Sequence, residues 1–151
     1  MEKLAAQELI GAWGISSWNG FRVPENHPEH LSLAELTSIG APHMRFLQLP
    51  LGLWGSEAVT GKWQQGRSVL EAAEGLAVFA NSPLLQGELA SALAKAQLVG
   101  KAIRYTRDTE GVAVTLLGMK RQHHIEAWRK MQYESLPDPK SIMQEFDILF
   151  Q

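Results

Sequence analysis

Lys120, Arg121, His123 and His124 crowd one short stretch, with Arg129 and Lys130 one or two turns later. A lysine supplies a point charge and an arginine a planar fork of donors. The pair therefore suits a phosphate, above all at a helix start, where free backbone N–H groups favour anions. A solvated basic helix end is the plainer alternative. The two histidines are adjacent, whereas helix-borne metal ligands need i, i+3 or i+4 spacing, so no metal site is expected. Three further polar groups interrupt or follow apolar runs. Ser16, Ser17 and Asn19 can satisfy the backbone of a turn or grip a ligand amide. Gln48 needs partners if buried, because an unpaired amide costs about 1–3 kcal/mol. Asn81-Ser82-Pro83-Leu84-Leu85-Gln86-Gly87 follows another run. There is no G-x-S-x-G elbow, P-loop, H-E-x-x-H or G-x-G-x-x-G, so no complete catalytic constellation is visible. Asp108 and Glu110 read as a solvated turn, and the tryptophans at 13, 18, 54, 63 and 128 as packing.

The chain that must position these groups has 151 residues, which predicts a single domain, 1–151. With 45% hydrophobic and 20% charged residues it reads as an ordinary globular protein. It has no cysteine, which excludes disulfides, zinc–thiolate sites and thiol nucleophiles and leans the reading to the cytoplasm. No apolar run approaches the roughly 18 residues of a membrane span, and the first eight residues are too polar for a signal-peptide core. No membrane association is expected. A net charge of −2 and a pI near 6.2 give no footprint for nucleic acid, so none is expected as a partner.

Four apolar runs have strand character: Leu9–Ile15, Met44–Pro50, Leu76–Ala80 and Val112–Leu117. They recur at about 30–36 residues, the length of one strand, one helix and two short loops. Helix punctuation fills the gaps. Ser32 with Glu35 and Ser68 with Glu71 predict capping boxes, and Gly40, Gly75 and Gly111 predict left-handed stops before strands. Leu98, Ala102 and Tyr105 form one helix face, and Ile125, Trp128 and Met131 another. Asp138 and Pro139 open a last helix bearing Ile142, Phe146 and Leu149. A further helix end precedes Leu9. The pattern predicts an α/β fold with a parallel sheet. A closed (βα)8 barrel takes at least about 200 residues, so the chain supplies half of one or an open sheet. In either case ligands belong at the carboxyl ends of the strands.

Taken in order, I-G-A-W-G-I-S-S-W-N-G-F-R, R-F-L-Q-L-P-L, E-A-A-E-G-L-A-V-F-A-N-S-P-L-L-Q-G and G-V-A-V-T-L-L-G-M-K-R resemble the C-terminal half of an aldo-keto reductase, its fifth to eighth βα units and terminal helix. The resemblance implies half of a TIM barrel with helices outside, and NADPH as cofactor across the carboxyl ends. It implies Ser16 or Ser17 and Gln48 at the nicotinamide carboxamide. Ser82, Pro83 and Leu84 would lie over the pyrophosphate with Gln86 nearby, and Lys120 and Arg121 on the adenosine 2′-phosphate. Asn81 stands where the family stacks a tyrosine on the nicotinamide. His124 replaces an arginine, and Ala127 and Trp128 replace the Glu and Asn that meet the adenine.

The family's Asp, Tyr, Lys and His catalytic set comes from the other half of the barrel, and no catalytic residue is assigned here. Tyr105 and Tyr133 fall away from the strand ends. The expectation is the C-terminal part of an NADP(H)-dependent aldo-keto-reductase-like oxidoreductase, inactive alone. The alternative is a non-catalytic half-barrel that works by self-association or by pairing with a separate N-terminal half. Half a barrel also leaves an exposed apolar sheet face, to which Trp13, Phe46, Leu49, Val78 and Val114 contribute on one side or the other, and two unpaired edges. A homo-oligomer or a complementary half-barrel partner is therefore expected.

Overall fold

The structure is a computed structural model that describes residues 1–95, 98–131 and 139–150. Its four strands are β1 (Trp13–Ser16), β2 (Met44–Pro50), β3 (Ala77–Asn81) and β4 (Val112–Thr115), all parallel and in sequential order. Parallel neighbours need a crossover, and helices supply it. In chain order these are α1 (Glu2–Ala6), α2 (Leu33–Ser38), α3 (Glu57–Thr60), α4 (Val69–Ala72), α5 (Ala90–Lys95), α6 (Val99–Asp108), α7 (Gln122–Met131) and α8 (Pro139–Phe150). The short α3 and α5 are not foreshadowed by any sequence signal noted above. Asp138 and Tyr133, like the side chain of Leu149, lie outside the described residues. Among the described residues, no helix is long and apolar enough to cross a membrane.

Local chemistry places the helix ends. Gly40, Gly75 and Gly111 all adopt positive φ, as left-handed stops require. At α4 the capping box is complete: Ser68 Oγ accepts from Glu71 N at 3.3 Å, and Glu71 Oε2 accepts from Ser68 N at 2.7 Å. At α2 only half of the expected box forms among the described residues, with Ser32 Oγ accepting from Glu35 N at 3.2 Å.

The first expected strand is corrected more sharply. Leu9–Ala12 forms no strand: Leu9 N bonds back to Leu4 O, and pairing with the second strand begins only where Trp13 N meets His43 O at 2.9 Å. A strand without a neighbour has no ladder to satisfy its backbone, and Leu9 is left exposed. At the other edge, the expected strand 112–117 stops at Thr115, with one further bond from Leu116 N to Ala80 O.

The sheet is unequal across its faces. Side chains alternate, so Leu47, Leu49, Val78 and Ala80 point to one side, where helix residues such as Leu93, Leu98 and Ala102 bury them completely. Registered neighbours Phe46 and Ala77, Gln48 and Phe79, and Phe79 and Val114 point to the other side. There Phe46 and Val114 are each 39% exposed, and the Phe46 and Phe79 rings meet edge to face at 5.6 Å. The apolar residues expected on an open sheet face thus divide: Leu49 and Val78 are core, while Phe46 and Val114 face outward. Trp13 lies at the amino end of β1, its indole donating to Glu2 Oε1 at 2.8 Å.

Glu71 makes α4 sensitive to acid. Its carboxylate accepts from Lys62 and from the Ser68 backbone N–H, and these bonds pull its pKa down to about 2. A carboxylate lowered in this way contributes stability above the ordinary range near 4.5 and loses it as pH falls towards 2. Ser68→Ala removes the other half of the box and is expected to cost about 1 kcal/mol. Chemical denaturation at pH 7 and pH 3 checks both: the penalty should be clear at pH 7, and Lys62→Ala should flatten the acid-induced loss.

Candidate functional site

The carboxyl ends of β3 and β4 open into a cavity of about 880 Å³ between the segment after β3, α6, and the chain running from β4 into α7. α6 is tied to the sheet by Thr106 Oγ1, which donates to Leu51 O just beyond β2 at 3.2 Å. α7 is held over α6 by Arg104, whose guanidinium donates to Met131 O at 3.3 Å, and by Arg107 stacked over the Trp128 ring at 5.8 Å. Apolar side chains from Val99, Ile103, Trp128 and Met131 line the cavity wall, and Lys120 and His124 stand on it as basic groups. Among the described lining residues there is no carboxylate. Such a wall accepts a ligand with an apolar or aromatic body and an anionic end.

Of the residues singled out from sequence, Ser82, Pro83, Leu84, Gln86, Lys120, His124, Ala127, Trp128 and Met131 line this cavity. The segment after β3 is unusual in its backbone. Ser82, Leu85 and Gln86 have φ of 54°, 47° and 55°, and Gly87 follows at 96°. Left-handed backbone in residues other than glycine costs roughly 1–2 kcal/mol each, so the surroundings must impose it. Leu85 N bonds to Ser82 O and Gly87 N to Leu84 O, closing two tight turns. Arg121 is exposed in the turn before α7, outside the cavity lining, and its carbonyl accepts from His124 N at 3.0 Å.

Ser16, Gln48 and Asn81 are gathered elsewhere, on the open face near the carboxyl ends of β1, β2 and β3. Ser16 is in register with Gln48, and Asn81 with Pro50. Asn81 Oδ1 is buried without a hydrogen-bond partner among the described residues, as is Thr115 Oγ1 on β4. Ser17 is committed to the fold: its Oγ accepts from Gly20 N at 2.9 Å and shapes the loop after β1. Tyr105, on α6, is buried and is not among the residues that line the cavity. Burial, with the nearby Asp147 carboxylate, pushes its phenol up to about 12.

Trp128 and Met131, which the sequence places on one helix face, form the cavity wall with His124 at a helical spacing of i, i+4, i+7. One contributor escapes a residue-by-residue reading. Trp54, in the loop after β2, reaches the segment after β3, where its indole Nε1 donates to Ser82 O at 2.9 Å. It stacks on Trp18, with ring centres 6.0 Å apart, and under the Arg22 guanidinium at 5.5 Å. Arg22 is in turn held by Trp18 O and by Glu57 Oε2 at 2.8 Å. No sequence signal joins these three loops. Among the described residues no group of histidines and acids is arranged to hold a metal.

No protein-family model matches this chain, and no curated protein is similar to it in sequence. Solved structures are similar in fold. One is a thermostable aldo-keto reductase crystallised with the inhibitor epalrestat, 15% identical, with a TM-score of 0.64. The match covers 97% of this chain and 51% of that protein, so the chain spans about half its length. The fold is therefore α/β, four βα units that form half of a TIM-type barrel. The carboxyl ends described above are the barrel face on which ligands of such folds bind.

Proposed function

We propose that the chain is the cofactor-side half of an aldo-keto-reductase-like oxidoreductase barrel and takes NADP(H) at its carboxyl face. The observation that carries this reading is the cavity beyond β3 and β4, free of carboxylates among its described lining, with both Lys120 and the strained Ser82–Gly87 turn on its wall. The residues fit the two ends of a phosphorylated dinucleotide. Lys120 is the point charge for a terminal phosphate, Trp128 and Met131 offer an apolar wall, and Gln48 and Asn81, on the open face near the carboxyl ends of β2 and β3, carry the amides that a carboxamide would meet. When bound, such a cofactor supplies a hydride; what these residues do is bind and orient it. Hydride transfer to a carbonyl also needs a positioned proton donor, and Tyr105 is buried outside the cavity lining. The full chain mixed with NADPH and a panel of aldehydes is expected to change NADPH fluorescence on binding, with no loss of cofactor absorbance above buffer. Turnover by the chain alone would overturn the reading. The cytoplasm, with its reduced nicotinamide pool, is the compartment this proposal assigns.

A second reading, that the half-barrel works by association, rests on the open sheet face. In an eight-stranded barrel that face is the packed interior and both edges are paired. The registered residues there, Gly14, Ser16, Phe46, Gln48, Ala77, Phe79, Asn81 and Val114, include no charged side chain, so two copies can meet without like-charge repulsion. A second copy would also pair its β1 edge with β4 of the first under two-fold symmetry. The two readings are compatible, since closing the face leaves the carboxyl ends open to ligand.

A further inference from the structure

We infer that Trp54 is a positioning residue for the Ser82–Gly87 turn, acting from a different βα loop through its contact with the Ser82 carbonyl. The inference rests on the reading of the adjoining cavity as a ligand site, although the contact itself does not. Ser82 is the residue at which the chain leaves β3 and turns left-handed, and its carbonyl accepts two bonds, from Leu85 N and from Trp54 Nε1, each at 2.9 Å. A carbonyl held by two donors fixes the peptide plane that follows, and with it the direction in which Pro83 and Leu84 enter the cavity lining. Leu85 N closes the turn on itself; among the described residues, Trp54 Nε1 is the donor that ties that carbonyl to another loop and so holds the turn in place.

The indole can do this because it is itself immobilised. Trp18 stacks on one side, and Arg22, 8% exposed, lies over the ring, held by Trp18 O and Glu57. The loops after β1, β2 and β3 are thus locked as one unit whose output is the shape of the turn. Gly52 completes the fit. A Cβ there would stand 2.6 Å from Trp54 Nε1 and 2.7 Å from Pro83 O, closer than real contacts allow. The residue must be glycine for the indole and the turn to approach as they do.

The test uses the full chain and two substitutions. Trp54→Phe keeps an aromatic body against Trp18 and Arg22 and removes the N–H; Gly52→Ala keeps the indole and inserts a methyl between it and the turn. Amide hydrogen exchange is read at Leu85 and Gly87, with β2 and β3 amides as the internal reference. Both variants are expected to speed exchange of the turn amides about fivefold or more, as loss of one hydrogen bond implies, while reference amides are unchanged. NADPH should bind more weakly by a similar factor, with NADH weakened in parallel. Unchanged turn amides would overturn the inference, and so would a uniform acceleration of turn and reference amides, which marks plain loss of packing. If the unaltered chain takes no NADPH but the turn amides respond, the positioning role stands and the cofactor reading fails.

Discussion

Phe46→Asp is expected to convert an associated protein into a monomer that remains folded. Phe46 lies on the inner strand β2 on the open face, its ring against Phe79, which is in register with Val114 on β4, and it takes no part in the core between sheet and helices. If a second half covers this face, an aspartate there would be buried without a partner, and under two-fold symmetry two would face each other. Burying an unpaired charge costs several kcal/mol, so the association constant should fall by at least about a thousandfold. The helix-side core of Leu47, Leu49, Val78 and Ala80 is untouched, so far-ultraviolet circular dichroism should be preserved. Hydrophobic-dye fluorescence would rise if an aromatic face were newly uncovered around the aspartate. Sedimentation identical to that of the unaltered chain would show that the face is not an interface.

Lys120→Ala is expected to lower NADPH affinity about ten- to a hundredfold and to leave NADH nearly unchanged, since one charge-assisted contact contributes about 1.5–3 kcal/mol. The sequence offers Lys120 and Arg121 as an equal pair. The structure separates them: Lys120 lines the cavity, and Arg121 does not. Arg121→Ala should therefore have the smaller effect. Calorimetric titration of each variant with both cofactors checks this. Equal affinity for NADPH and NADH, unchanged in Lys120→Ala, would reduce the basic cluster to a solvated helix end.

Features governed by chemistry within a few residues are legible in the sequence. The Ser68–Glu71 box and the left-handed glycines 40, 75 and 111 depend on caps and turns that a short window contains. Strand order followed from the repeat, because four βα units in sequence build a sheet in that order. Leu9–Ala12 failed for the complementary reason: its apolar pattern suits a strand, but a strand exists only where a neighbour pairs with it, and β2 begins too late. Ser17 spends its hydroxyl on Gly20 N, the turn-satisfying use that the sequence sets beside a ligand amide; the loop's path decides between the two. Trp54 was invisible as a site residue because the carbonyl it holds lies 28 positions away on another unit. Position at a strand end could thus be read from sequence; contacts between loops could not.

Sedimentation equilibrium of the unaltered chain, run over a wide concentration range, tests most directly whether the sheet's open face is half of a closed interior. A species of twice the 16.7 kDa chain mass that persists to low micromolar concentration, with little dye binding, is the predicted result. A folded 16.7 kDa monomer that binds no hydrophobic dye at those concentrations would contradict it.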